Sequence, residues 1–269
     1  GDDAELFSTY YNITAEGNWE HGNSILFRNE TDDTIASSFN LTVEQLKNKI
    51  DAAKTKLLHV RSARIKPGLD DKILSSWNAL MITGYAKAYR VFNEERFLDA
   101  AINCAGFLLQ NAIAANGEMT RNYKAGKATI NALLDDYAFT IAAFIELYQA
   151  TFEEKWLTEA DKLTAYALEY FFDDESKMFF YTHNQYADLI ARKMELSDNV
   201  IPSSNSEMAK NLFLLGHFFN NDDYLSKSKQ MLINVETDAQ RNIYFYANWG
   251  MLQALFTSQL YEVAILGED

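Results

Sequence analysis

The sequence predicts an all-α protein built from repeated helical hairpins, with inner helices enclosed by outer ones. Three observations carry this. Long apolar stretches alternate with charged amphipathic ones. Only two prolines interrupt 269 residues. One layout (apolar helix, acidic break, second helix) occurs three times, from Ile73 to Ile113, Tyr137 to Phe171 and Ser206 to Ile233. An aromatic-Leu pair follows each break, at Phe97-Leu98, Trp156-Leu157 and Tyr224-Leu225, in steps of 59 and 68 residues. Such steps hold a hairpin plus an excursion and exceed the roughly 33 to 47 residues of common helical solenoids. A double ring with insertions therefore fits better than a parallel solenoid.

The elements follow in order. Gly1 to Tyr11 has helical character from its first residues. Glu16-Gly-Asn-Trp-Glu20 and His21 form a compact polar-aromatic turn, and Thr42 to Arg61 reads as a helix. Ile73 to Phe92 holds only two charges, Lys87 and Arg90, and Tyr137 to Phe152 only Glu146. Helices apolar nearly all round are buried on most sides. Their partners are charged on one face: Glu153 to Phe171 sets Trp156, Ala160, Leu163 and Ala167 on the opposite one. Glu118 to Tyr123 and Ala128 to Ile130 read as a β-hairpin around Lys124-Ala-Gly-Lys127. Met178 to Thr182 and Leu189 to Arg192 read as a second. Ile243 to Leu260 is a last inner helix, and Tyr261 to Leu266 a strand. About eight helices result, whereas a ring of six hairpins needs twelve. Residues 1–269 are therefore expected to form one helical ring domain that is incomplete, a fragment of a larger parent.

Composition narrows the partners. Thirty-eight acids against 24 bases give a net charge of −14, which repels nucleic acid and anionic membrane. The longest uncharged run, Asn242 to Tyr261, carries Asn248, Gln253, Ser258 and Gln259 and is a poor membrane span. A single cysteine, Cys104, excludes an intrachain disulfide and a thiolate zinc site, and the four histidines form no metal-binding pair. No metal or cofactor is expected. The absence of a signal peptide makes a cytoplasmic location the expectation, and three glycosylation sequons read as chance matches. Aromatic residues reach 14%, which suits a packed core and equally a cleft that stacks on sugars.

Candidate chemistry sits before the inner helices. Leu69-Asp70-Asp71-Lys72, Leu134-Asp135-Asp136-Tyr137 and Pro202-Ser203-Ser204-Asn205-Ser206 each precede one. Such residues cap helices by accepting free N–H groups. If the inner helices run parallel, their first turns also meet at one mouth. One aspartate of each pair then caps while the other faces the mouth, since successive helical positions point about 100° apart. Two carboxylates across a mouth serve glycosidic chemistry as proton donor and base or nucleophile. Asp71 and Asp136 are the catalytic candidates. Asp70, Asp135, Lys72, Trp77, Asn78, Tyr137, Ser203 and Asn205 are candidates to orient a carbohydrate. Arg64, with Arg61 and Lys66, can hold an anionic substrate group or pair with Asp70 or Asp71. His217 and Cys104 read as core residues.

These motifs carry a resemblance. Glu16-Gly-Asn-Trp-Glu20, the run from Arg64 through Pro67 to Ser76-Trp-Asn78, Leu134-Asp-Asp-Tyr-Ala138 and Pro202-Ser-Ser-Asn-Ser206 together resemble the spermatogenesis-associated protein 20 (YyaL-like) family. The resemblance implies an (α/α)6 toroid similar to N-acylglucosamine 2-epimerases and six-hairpin glycosidases. It also implies an upstream thioredoxin-like domain in the parent, which would be this chain's partner. The chain departs from the family pattern at Ala79 and Ser204, where the family has glycine, and at Asp198-Asn-Val200, where it tends to Asp-Gly-Ala. Two functions are compatible: a glycosidase-like or epimerase-like enzyme, or a non-catalytic ligand-binding or scaffold module.

Overall fold

A computed structural model describes residues 3–185, 191–259 and 261. They form two compact units, residues 1–70 and 71–269.

The first unit holds α1 (Ala4–Tyr10), α2 (Asp32–Ser38) and α3 (Val43–Ser62). Thr42 starts α3 as predicted: its hydroxyl accepts from the Gln45 N–H, and the Gln45 side chain accepts from the Thr42 N–H. This reciprocal cap satisfies two otherwise free donors. Leu6, Tyr10, Ile35, Ala36, Leu46 and Ile50 make a small core.

The second unit holds the repeats. The inner helices are α4 (Ser75–Phe92), α6 (Leu134–Thr151), α8 (Ser204–Phe218) and α10 (Ala247–Thr257). The outer ones are α5 (Glu95–Asn111), α7 (Glu154–Tyr170) and α9 (Asp222–Arg241). Inner helices pack in the order α4–α6–α8–α10, each of the first three also against the outer helix that follows it. The breaks share a geometry that the sequence repeat anticipates. Left-handed residues Asn93, Phe152 and Asn220 end the inner helices, each four positions before Phe97, Trp156 or Tyr224. The outer helices then bury equivalent positions: Ala101, Ala160 and Ser228; Leu108, Ala167 and Val235.

Two expectations need correction. The helix count among the described residues is ten: α1, whose helical character the sequence shows but the count of eight left out, and α2, a short helix with little periodicity to read, add to it. The inner helices are also not alike. α6 and α8 are buried on nearly all sides, but α4 exposes Trp77, Met81, Val91 and Phe92, and α10 exposes Met251. Among the described residues, each of these two packs closely against one inner helix, α4 against α6 and α10 against α8. The start of α10 differs as well, because Ile243–Phe245 form a separate 3-10 turn.

The first hairpin forms as expected. β2 (Asn122–Lys124) pairs antiparallel with β3 (Lys127–Ala128), and β1 (Ile73–Leu74) adds to its other edge with Ile73 opposite Tyr123. In the second excursion, β5 (Met178–Phe179) pairs with β4 (Phe172–Asp173). Residues 189 and 190 of its expected partner lie outside the described residues, as does the strand expected from 262 onward.

Candidate functional site: the rim where inner helices begin

The first turns of all four inner helices are tied together at one end. Asp136, in the first turn of α6, accepts from the Ser76 N–H of α4 through Oδ1 (3.0 Å). Its Oδ2 accepts from the Leu133 N–H (3.0 Å) and from Arg121 (2.9 Å). The start of α6 joins the next segment through the Leu134 N–H to the Tyr181 carbonyl (3.0 Å). Two residues earlier, Phe179 is gripped by Asn205 of α8: the side-chain Oδ1 accepts from the Phe179 N–H, and Nδ2 donates to the Phe179 and Glu195 carbonyls. Asp198 then joins α8 to α10. Its Oδ1 accepts from the Ser203 N–H and Ser206 hydroxyl, and its Oδ2 from the Asn248 N–H (2.9 Å). Ser76 and Asn248 are each the second residue of their helix, so Asp136 and Asp198 make the same kind of tie twice. Carboxylates at helix N-termini are favoured by the free N–H groups and the helix dipole.

Asp135 and Asp136 share one cation, with Arg121 2.8 Å from Asp135 and 2.9 Å from Asp136. The Asp135 side chain keeps 8% exposure, while Asp136 has none. Burial, then the neighbouring Asp135 charge, push the Asp136 carboxyl up to about 6, against Arg121 and the N–H groups of Leu133 and Ser76. Tyr181 hydrogen-bonds Asp135, and its hydroxyl is raised by burial and then by the Asp135 charge. Asp71 is in a different environment. It is half-exposed just before β1 and pairs with Lys124 of β2 at 2.5 Å, which lowers its carboxyl. Arg121 and Lys124 are three residues apart, so both acids stand by the same short segment.

The other predicted residues divide into two groups. Tyr137 is buried, its hydroxyl accepts from the Met119 N–H, and its ring stacks on Tyr166 at 5.5 Å. Asn78 donates to the Leu74 carbonyl and accepts from Cys104. Ser203 caps α8 through the Ser206 N–H and donates to the Leu196 carbonyl. The structure engages these three, and Asn205, inside the protein. Trp77 is 65% exposed in the first turn of α4; its counterpart in α10, Trp249, is buried and donates to the Leu196 carbonyl. Lys72 is exposed beside Asp71. Arg64 and Asp70 are exposed in the first unit.

Sequence reasoning missed Arg121, Tyr181 and the tying role of Asp198. The one available signal for Arg121 was a cation inside the segment expected as a strand, Glu118 to Tyr123. Two open cavities adjoin the rim: about 350 Å³ beside Thr129–Leu133, Thr182 and His183, and about 370 Å³ beside Lys193–Asn199, Phe245 and Tyr246. His183 is buried, stacks on Tyr170 at 4.5 Å and bonds the Tyr166 hydroxyl. Desolvation lowers its pKa. Among the described residues no cluster of three or more His, Cys, Asp or Glu could hold a metal ion, and no helix is long and apolar enough to cross a membrane.

Comparison with known proteins matches this architecture to sugar-active enzymes. A D-mannose isomerase superposes with a TM-score of 0.51 at 16% identity, over 61% of this chain and 40% of that one. The cellobiose 2-epimerase of Bacillus thermoamylovorans gives 0.51 at 15% identity, over 63% and 46%. A glycoside hydrolase family 76 mannosidase of Bacteroides thetaiotaomicron gives 0.51 at 16%, over 62% and 44%. The fold is thus the (α/α)6 toroid of sugar epimerases and glycosidases, represented here in part. No family model matches the chain. In sequence, human spermatogenesis-associated protein 20 is 30% identical over 242 residues, covering 83% of this chain. An uncharacterised Caenorhabditis elegans protein is 30% identical over 243 residues, 84% of this chain. The chain is homologous to a segment of the spermatogenesis-associated protein 20 family, and spans 31% to 33% of the length of these two relatives.

Proposed function

We propose that this chain carries the acid/base rim of a carbohydrate-active toroid, with glycosidase-like or epimerase-like chemistry on a small neutral sugar. One observation carries the reading. Two carboxyls that stand by the segment from Arg121 to Lys124 occupy opposite environments: Asp136 is fully buried beside Asp135, which favours its protonated form, and Asp71 is half-exposed against Lys124, which favours its charged form. Such divergence separates a proton donor from a base or nucleophile. Asp136, beside Asp135, is the donor; Asp71 is the base or nucleophile. Asp135, Arg121 and Tyr181 set the donor's proton affinity, and exposed Trp77 and Lys72 orient the sugar. A cytoplasmic setting belongs to this proposal.

The test is proton NMR of mannose and of cellobiose in D2O with the full-length parent. Epimerisation exchanges the C2 proton for deuterium; hydrolysis of cellobiose releases glucose. Asp71→Asn and Asp136→Asn should each lower turnover by about 10²-fold or more, with far-UV circular dichroism unchanged. Full turnover in both variants removes the assignment. A second reading has its own support: both oxygens of Asp136 are engaged by protein donors. The rim would then be purely architectural, in a scaffold serving an upstream thioredoxin-like domain. That reading requires no sugar turnover by the parent.

A further inference from the structure

The turn from Thr14 to Asn23 in the first unit is specified far beyond what packing asks of it. Most of its residues are exposed, so no core dictates its shape. Yet the N–H groups of Asn18 and Trp19 converge on the Asn23 carbonyl (3.0 and 2.9 Å). The Asn18 side chain crosses the loop, donating to the Asn12 and Ile25 carbonyls and accepting from the Ile25 N–H at 2.7 Å. Gly17 has φ +77°, and a Cβ there would meet the Gly22 and Asn23 backbone at 2.5 to 2.6 Å. His21 is itself left-handed, at φ 59°. Backbone held this way clusters at ligand clamps. The turn displays Trp19, 59% exposed, among Glu16, Glu20 and His21, and among the described residues no ring or cation packs on that indole.

We propose that this turn is a carbohydrate-recognition element: the Trp19 indole stacks on the apolar face of a neutral sugar ring, and Glu16, Glu20 and His21 hydrogen-bond its hydroxyls. The inference rests on the carbohydrate reading above and adds a second contact surface to it. An aromatic face beside planar polar groups matches a pyranose, whose ring C–H bonds line one face and whose hydroxyls ring the edge. The two glutamates, in a chain of net charge −14, disfavour phosphorylated or uronic ligands. The test is calorimetric titration of the full-length parent with cellobiose. Trp19→Ala should weaken binding about tenfold. Gly17→Ala, which deforms the turn without touching the indole, should weaken it too, with circular dichroism unchanged in both. Wild-type affinity in both variants overturns this proposal and leaves the carbohydrate reading standing. Absence of cellobiose binding by the wild type also overturns this proposal, whereas the carbohydrate reading is overturned only if neither mannose nor cellobiose is turned over in the NMR assay.

Discussion

Replacing Asp136 by Asn tests the electrostatics of the rim through folding alone. The folded carboxyl sits at about 6 against an ordinary value of 3.8, so the folded state holds its proton more tightly than the unfolded chain. The stability this confers is fully present below about pH 4 and disappears as pH rises through 6. The span corresponds to about 3 kcal/mol. The Asp136→Asn variant has no proton to lose there, and the chain's acids other than the neighbouring Asp135 contribute equally to both proteins. Urea unfolding of each, followed through buried Trp156 and Trp249, gives the difference at each pH. Wild-type advantage over the variant should shrink by about 3 kcal/mol between pH 4 and 7. The variant separately loses an acceptor for Leu133 N–H or Arg121, a pH-independent offset of about 1–3 kcal/mol. A wild-type advantage that grows with pH would mean that Arg121 and the two N–H groups outweigh burial. That result would refute the assignment of Asp136 as a donor.

Asp198→Ala should cost about 3–4 kcal/mol, since three donors lose their acceptor; Asp198→Asn, facing one donor with another, should cost about 1–3 kcal/mol. Both are read by urea unfolding, and a change below about 0.5 kcal/mol would show that α8 and α10 hold together without the tie. Gly216→Ala should cost about 1–3 kcal/mol, because the added Cβ would lie 2.7 Å from the Leu225 side chain where α9 crosses α8. A neutral result there would mean that the α8–α9 contact is looser than the geometry requires.

The architecture was legible because it repeats. Aromatic-Leu pairs at 97, 156 and 224 marked the outer helices, and near-absence of charge marked α6 and α8. The same signal overstated the burial of α4 and α10, since apolarity reports what a helix face tolerates, and neighbours decide whether it is covered. The rim was half legible. Paired acids before inner helices are visible as local pattern, but the roles within the pair are exchanged: Asp136, expected to face the mouth, is the one that accepts the helix N–H groups, and Asp135, expected to cap, pairs with Arg121. The Asp136 partners Ser76 and Arg121 are 60 and 15 residues away, and no local spacing encodes such contacts. Asn205 and Tyr137 looked available to a ligand because their polar groups are visible in sequence, whereas the Phe179 and Met119 backbone groups that occupy them are not.

The two equivalent ties sharpen where chemistry would reside. At α8–α10, one aspartate joins the helices, and the second acid, Glu195, accepts from the Ser204 N–H and so serves another helix end. At α4–α6, Asp136 alone makes the tie, and among the described residues Asp135 accepts from no backbone N–H; its partners are Arg121 and Tyr181. Joining two helix ends requires one carboxylate, so Asp135 and its cation are surplus to architecture. A second acid against Asp136 raises the cost of charging it, a burden that a purely structural joint has no reason to carry. The comparison therefore directs attention to the Asp135–Asp136–Arg121 cluster rather than to Asp198. It also implies that Asp135→Asn, which leaves every helix tie in place, should bring the Asp136 carboxyl back toward its ordinary range.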